Sequence, residues 1–233
     1  MAKKSSGEPE WKTRGLDVIR EGVLEAVGLA DTFVPGVGTL TKLALGQAWG
    51  AASAKRVDVY LEQVGVRLDA IEDSIEGLHN SMTREVATSI QIAGAYAAVK
   101  THDQDKLGYL ADAAVRVTVD EGWDSRADFA LLLMGLLDGL TATHIRMLAK
   151  LSARVPGAQP GTPVPGVAPL PLGDLPGLFP GLEPVVAKGV AGDLMAKGLL
   201  GSVDTFLSSR QPVVGEVTDL GRELLALVKP VVR

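Results

Sequence analysis

The chain is predicted to be mainly α-helical, an N-terminal multi-helix bundle followed by a second module that carries a proline-rich insertion. Three observations predict it. A heptad seam runs from Val57 to Leu78. Further apolar residues recur at helical spacing as far as Leu140. Nine of the 13 prolines fall between Pro156 and Pro184. At 233 residues the chain is long enough to bury a sizeable core. Aromatics make up only 4% of it, so that core has to rest on Leu, Val, Ala and Ile.

Residues 1–10 are a polar tail with no apolar run behind them, which is not the pattern of a secretory signal. Leu16, Ile19, Val23, Leu24 and Val27 then space as a short amphipathic helix. Val34-Pro35-Gly36-Val37-Gly38 interrupts regular structure, and Leu40 to Ala54 is almost wholly apolar or small, with Lys42 its only charge. Phe33, Val34, Pro35, Val37, Leu40, Leu43, Leu45 and Trp49 thus read as an apolar hairpin. Broken at Pro35, it leaves too short a run for a spanning helix and suits a buried core. The alternative is a membrane-inserting effector that exposes this hairpin.

Val57, Leu61, Val64, Leu68, Ile71, Ile75 and Leu78 alternate spacings of four and three, with Glu62, Asp69, Glu72, Asp73 and Glu76 on the other faces. Such a helix buries a narrow stripe against partner helices, within the chain or across a homo-oligomer. Val86, Ile90, Ala93 and Ala97 predict another helix, as do Leu107, Leu110, Ala111, Ala114 and Val115. Phe129, Leu132, Leu133, Leu136, Leu137 and Leu140 predict a strongly apolar one. The bundle is expected over residues 11–140 and the second module over 141–233.

Residues 155–183 form a proline-rich strap. Apolar residues recur in threes, Val164, Val167, Leu170 and then Leu172, Leu175, Leu178, the period of polyproline II. The strap is expected to lie on the protein itself, with a groove-binding ligand as the alternative. Pro184 opens a helix that ends near Gly198, and Thr218 caps a last one through Leu220, Leu224, Leu225 and Val228.

The stretches Leu140-Thr141 to Leu148, Val190 to Leu200, and Val217-Thr218-Asp219-Leu220-Gly221 to Leu224 together resemble a winged-helix domain. That resemblance implies a Leu-Thr cap on the opening helix, a Gly-Leu step into a two-stranded wing, and a Thr-x-x-Gly cap on the closing helix. The proline-rich strap departs from that pattern by replacing or displacing the usual second helix. More loosely, the chain resembles the Abi-alpha group of bacterial proteins, linked by name to phage abortive infection. The shared features are the early Pro-Gly hairpin, the charged heptad helix and the passage from Arg126 to Ile145.

A net charge of −5 argues against a dedicated nucleic-acid binder. In a DNA-reading winged helix, Lys188, Lys197 and Arg210 would contact phosphate, which are few cations for the task. His79, His102 and His144 fall on separate elements, and Asp103 and Asp105 beside His102 suit helix capping better than metal binding. No phosphate loop, nucleophile elbow or His-Glu-x-x-His motif occurs. The absence of cysteine excludes disulfides and fits a reducing compartment. The expectation is therefore a cytoplasmic, non-enzymatic interaction protein, and the Abi-alpha resemblance implies bacterial defence or stress response as its setting. No cofactor, metal or small-molecule substrate is indicated, and the partner is another protein or a second copy. A location peripheral to the inner membrane and a winged-helix DNA-binding regulator are the alternatives.

Overall fold

The computed structural model describes residues 50–71, 84–153, 170–171, 173–203 and 213–230. These residues are mainly helical and divide into two units, one formed by Met1–Asp138 with Val228–Arg233 and the other by Gly139–Leu227. The helix expected over Leu16–Val27, the apolar hairpin from Phe33 to Trp49, Ile75, Leu78 and the strap up to Pro169 all lie outside the described residues.

In the first unit, α1 (Gly50–Asp69), α2 (Glu85–Lys100) and α3 (Gln104–Val119) pack on one another, and α4 (Ala127–Asp138) packs on α2 and α3. The heptad residues of α1 and the turn after it, Val57, Leu61, Val64, Leu68 and Ile71, are all buried. Tyr60, off that seam, is fully buried as well. Leu107, Leu110, Ala111, Ala114 and Val115 form the inner face of α3. On α2 the buried face is Ala87, Ile90, Gln91, Ala95, Ala97 and Ala98, with Gly94 among them. Gly94 is small for a reason: a Cβ there would stand 2.8 Å from Tyr60 Cζ and 2.9 Å from Met134 Cε. A tyrosine ring on α1 fills the space that the glycine leaves on α2. On α4, Leu133 and Leu137 are buried, whereas Leu132 is 53% exposed and Phe129 and Leu136 are half-buried.

A polar thread crosses this apolar interior. The Tyr60 hydroxyl donates to the Gln91 carbonyl at 3.3 Å, and Gln91 Nε2 donates to Thr118 Oγ1 at 2.9 Å. Thr118 Oγ1 in turn donates to the Ala114 carbonyl at 2.8 Å. Each buried polar group is thereby satisfied instead of being left at a cost of about 1–3 kcal/mol. Burial pushes the Tyr60 phenol well above its ordinary value.

Two helix ends in this unit are closed by cations from elsewhere in it, which suits the negative end of a helix dipole. Arg84 Nη2 donates to the Val117 and Thr118 carbonyls at 2.9 and 2.8 Å, and Arg84 Nη1 pairs with Asp124 at 2.5 Å. Lys106 Nζ donates to the Asp138 carbonyl at 2.6 Å while Lys100 pairs with the Asp138 carboxylate at 2.6 Å. Burial pushes the Lys106 ammonium below the usual lysine value, with Asp138 opposing the shift.

In the second unit, α5 (Ala142–Ser152) packs on α7 (Pro184–Ala196), on the closing helix α8 (Asp219–Leu227) and on β3 (Val213–Val217). The other strands are β1 (Leu170–Pro171) and β2 (Leu200–Val203), and the antiparallel sheet runs β1-β3-β2. Pairing is Leu170 with Val214 and Pro171 with Val213 on one side, and Leu200 with Val217 and Val203 with Val213 on the other. Between β1 and α7, Leu175–Leu178 makes one helical turn, α6. This differs from the polyproline period expected at Leu175 and Leu178, while Leu172 lies outside the described residues. A spacing of three also fits a helical turn, and Pro176 sits in its first positions, where its missing N–H costs nothing. Leu175 is fully buried, and Lys150 donates to the Leu178 carbonyl.

Candidate contact surface on helix α7

Helix α7 is the helix that the winged-helix resemblance expects to read DNA, so its surface chemistry bears on the functional readings. The helix begins at Pro184, whose fixed φ suits the first helical position, and Ala187 N–H closes its first turn onto the Glu183 carbonyl at 2.9 Å. Ala187, Val190, Ala191 and Leu194 form its buried face. Its end is a Schellman closure. Gly198 takes φ 70°, Gly198 N–H donates to the Met195 carbonyl and Leu199 N–H to the Leu194 carbonyl, both at 2.9 Å. Leu194 and Leu199, both fully buried, supply the apolar contact that accompanies this motif.

The step out of α7 is locked to the start of α8. Thr218 N–H donates to the Leu199 carbonyl at 3.1 Å and Thr218 Oγ1 donates to the Gly198 carbonyl at 2.7 Å. Thr218 Oγ1 also accepts from Gly221 N–H at 3.0 Å, capping α8. A Cβ on Gly221 would collide with the Leu199 carbonyl oxygen and come within 2.8 Å of Val217 Cγ1. The Thr-x-x-Gly spacing therefore has a local cause: the threonine caps, and the glycine lets the preceding turn approach.

Thr141 and His144 form a capping box at the start of α5, with His144 in the place usually held by Glu or Gln. Thr141 N–H donates to His144 Nδ1 at 3.2 Å, and Thr141 Oγ1 lies 2.7 Å from the same nitrogen. His144 Nε2 is 3.1 Å from Asp193 Oδ2 on α7. Asp193 Oδ1 is 3.4 Å from Lys197 Nζ. Asp193 is thus held between an imidazole and an ammonium.

What α7 leaves outward is mostly apolar or bare. Val185 is 73% exposed and Val186 41%, with Lys188 and Gly189 exposed beside them. Added Cβ atoms at Gly189 and Gly192 would meet nothing within 4 Å. Of the three cations expected to contact phosphate, Lys188 faces outward, Lys197 is drawn to Asp193, and Arg210 lies outside the described residues. Sequence reading missed Val185 and Val186, because two valines in a helix give no signal of which side they take.

The remaining expectations find these places. His79 lies outside the described residues. His102 accepts from Arg56 Nη1, 3.2 Å from its Nδ1. Asp103 Oδ1 accepts the N–H groups of Asp105 and Lys106 at 2.9 and 3.3 Å, so its carboxylate serves as the N-cap of α3. Among the described residues, no group of three or more His, Asp or Glu is arranged to hold a metal ion. Among the same residues, no single helix is long and apolar enough to cross a membrane. In comparison with known proteins, no family model, no curated protein and no solved structure matches this chain.

Proposed function

We propose that Gly139–Leu227 is a degenerate winged-helix module that binds protein, within a non-enzymatic helical interaction protein. The element order supports the module: helix, strand, helical turn, helix and two strands, with the sheet running β1-β3-β2. The second helix is reduced to the single turn of α6, in a segment rich in proline. The observation that carries the choice of partner is the outward face of α7, where two exposed valines and open glycines stand in place of base-reading side chains. Major-groove reading rests on Arg, Lys, Asn or Gln presented by such a helix, and duplex affinity rests on several phosphate contacts. A single outward lysine supplies neither. The resemblance of the Arg126–Ile145 passage to the Abi-alpha group makes bacterial phage defence or stress response the expected setting.

The test is a pair of variants read in two assays. Val185→Asp, at an exposed position, should leave stability within about 0.5 kcal/mol of wild type and weaken partner binding or self-association. Lys188→Glu should change neither. If the wild-type protein instead binds duplex DNA with a steep salt dependence that Lys188→Glu reduces, the module is a DNA-binding regulator and the proposal fails.

A further inference from the structure

The contact between α5 and α7 contains a group whose two protonation states make different bonds. A backbone N–H can only donate, so the 3.2 Å contact from Thr141 N–H requires His144 Nδ1 to be an acceptor. The proton of the neutral ring then sits on Nε2, which donates to Asp193 Oδ2 at 3.1 Å. The ring is fixed at both ends, and its side chain is only 12% exposed. Asp193 faces Nε2, and Lys197 stands behind that carboxylate at 3.4 Å. The α5 helix itself carries Arg146 and Lys150, and α7 also carries Lys188. The elements packed on α5 from the other side bring Asp219, Arg222 and Glu223 on α8, where Arg222 is paired with Asp219 at 2.5 Å, and Glu216 on β3.

We propose that His144 is a proton-sensitive joint between α5 and α7: neutral, it caps α5 through Thr141; protonated, it gives up that cap and grips Asp193 as a full ion pair. A proton taken from solvent enters at Nδ1 and meets the Thr141 N–H, donor against donor. The Thr141 hydroxyl can rotate to accept it, but the backbone N–H loses its acceptor. Meanwhile the Nε2–H···Oδ2 contact becomes charge-assisted. Acid therefore frays the first turn of α5 while tightening its tie to α7, the helix that bears the proposed contact face. The joint is built on Thr141, His144 and Asp193, and stands whether or not α7 binds protein.

Two measurements on the full chain test it. Nitrogen NMR of the wild-type imidazole at about pH 8 should show the Nε2–H tautomer; an Nδ1–H tautomer overturns the proposal. Hydrogen exchange should show the Thr141 amide losing protection about tenfold between about pH 8 and about pH 5, after correction for intrinsic exchange. In His144→Gln, which restores the ordinary capping-box residue without a titrating ring, that protection should persist and cease to depend on pH. Unchanged Thr141 protection in wild type, or the same acid-induced loss in His144→Gln, overturns it.

Discussion

The two units hold themselves together by different means. In the first, residues on α1 to α4 fill volume: the Tyr60 ring occupies the space above Gly94, and Leu68, Leu110, Leu133 and Leu137 are buried in the same unit. In the second, much of the order is backbone geometry. The Gly198 turn, the Thr218 cap and the close approach at Gly221 fix where α7 ends and α8 begins. A packed core yields a little when overfilled, because side chains can shift. A carbonyl oxygen held in a turn cannot. The two units should accordingly respond differently to the same small insult, one added methyl group.

The largest effect is expected at Gly221→Ala. Its methyl group meets the Leu199 carbonyl, and the substitution should cost about 3 kcal/mol or more. Hydrogen exchange should show the loss of protection within residues 139–227. Gly94→Ala should cost less, about 2 kcal/mol, because the atoms it meets belong to the Tyr60 and Met134 side chains. Tyr60→Phe removes the nearest of those atoms, so the double variant should recover part of that cost, a coupling of about 1 kcal/mol in thermal or denaturant unfolding. Equal costs at Gly94 and Gly221, or no coupling to Tyr60, would break the contrast between side-chain and backbone constraint.

The polar thread sharpens the comparison through pH. Unfolded, Tyr60 ionises near about pH 10, but folded its burial keeps it neutral well above that. Above about pH 10 the unfolded chain releases a proton that the folded chain keeps, so stability falls by about 1.4 kcal/mol per pH unit. Tyr60→Phe should lack this fall. Lys106 works in the opposite sense and more weakly. Its folded pKa is depressed, so the unfolded state holds more protons as pH approaches about 10.4, and stability gained from Lys106 rises across that window. Lys106→Met should remove the rise; a fall with pH in the wild-type-minus-variant difference would contradict it.

Local chemistry was readable from the chain, and pairings across it were not. The Thr218 cap, the glycine closure after α7 and the proline at its start depend on a few neighbouring residues, and all three hold. The heptad stripe from Val57 to Ile71 was readable because its period is set by one helix. Tyr60 was not, since it falls between the seam positions and carries a hydroxyl. The Leu-rich run of α4 shows the limit of apolar runs: with leucines on every side, periodicity cannot say that Leu133 and Leu137 turn inward and Leu131 and Leu132 outward. The His144–Asp193 contact joins residues far apart in the chain, and no local spacing announces it. The outward valines of α7, on which the proposed function rests, were invisible for the same reason.

The most direct measurement is photocrosslinking in the native cell with a photoreactive residue in place of Val185. The account predicts a discrete protein adduct, lost when Val186→Asp is added beside it. A nucleic-acid adduct at that position, or a protein adduct indifferent to Val186→Asp, would contradict the assignment of α7 as a protein-contact helix.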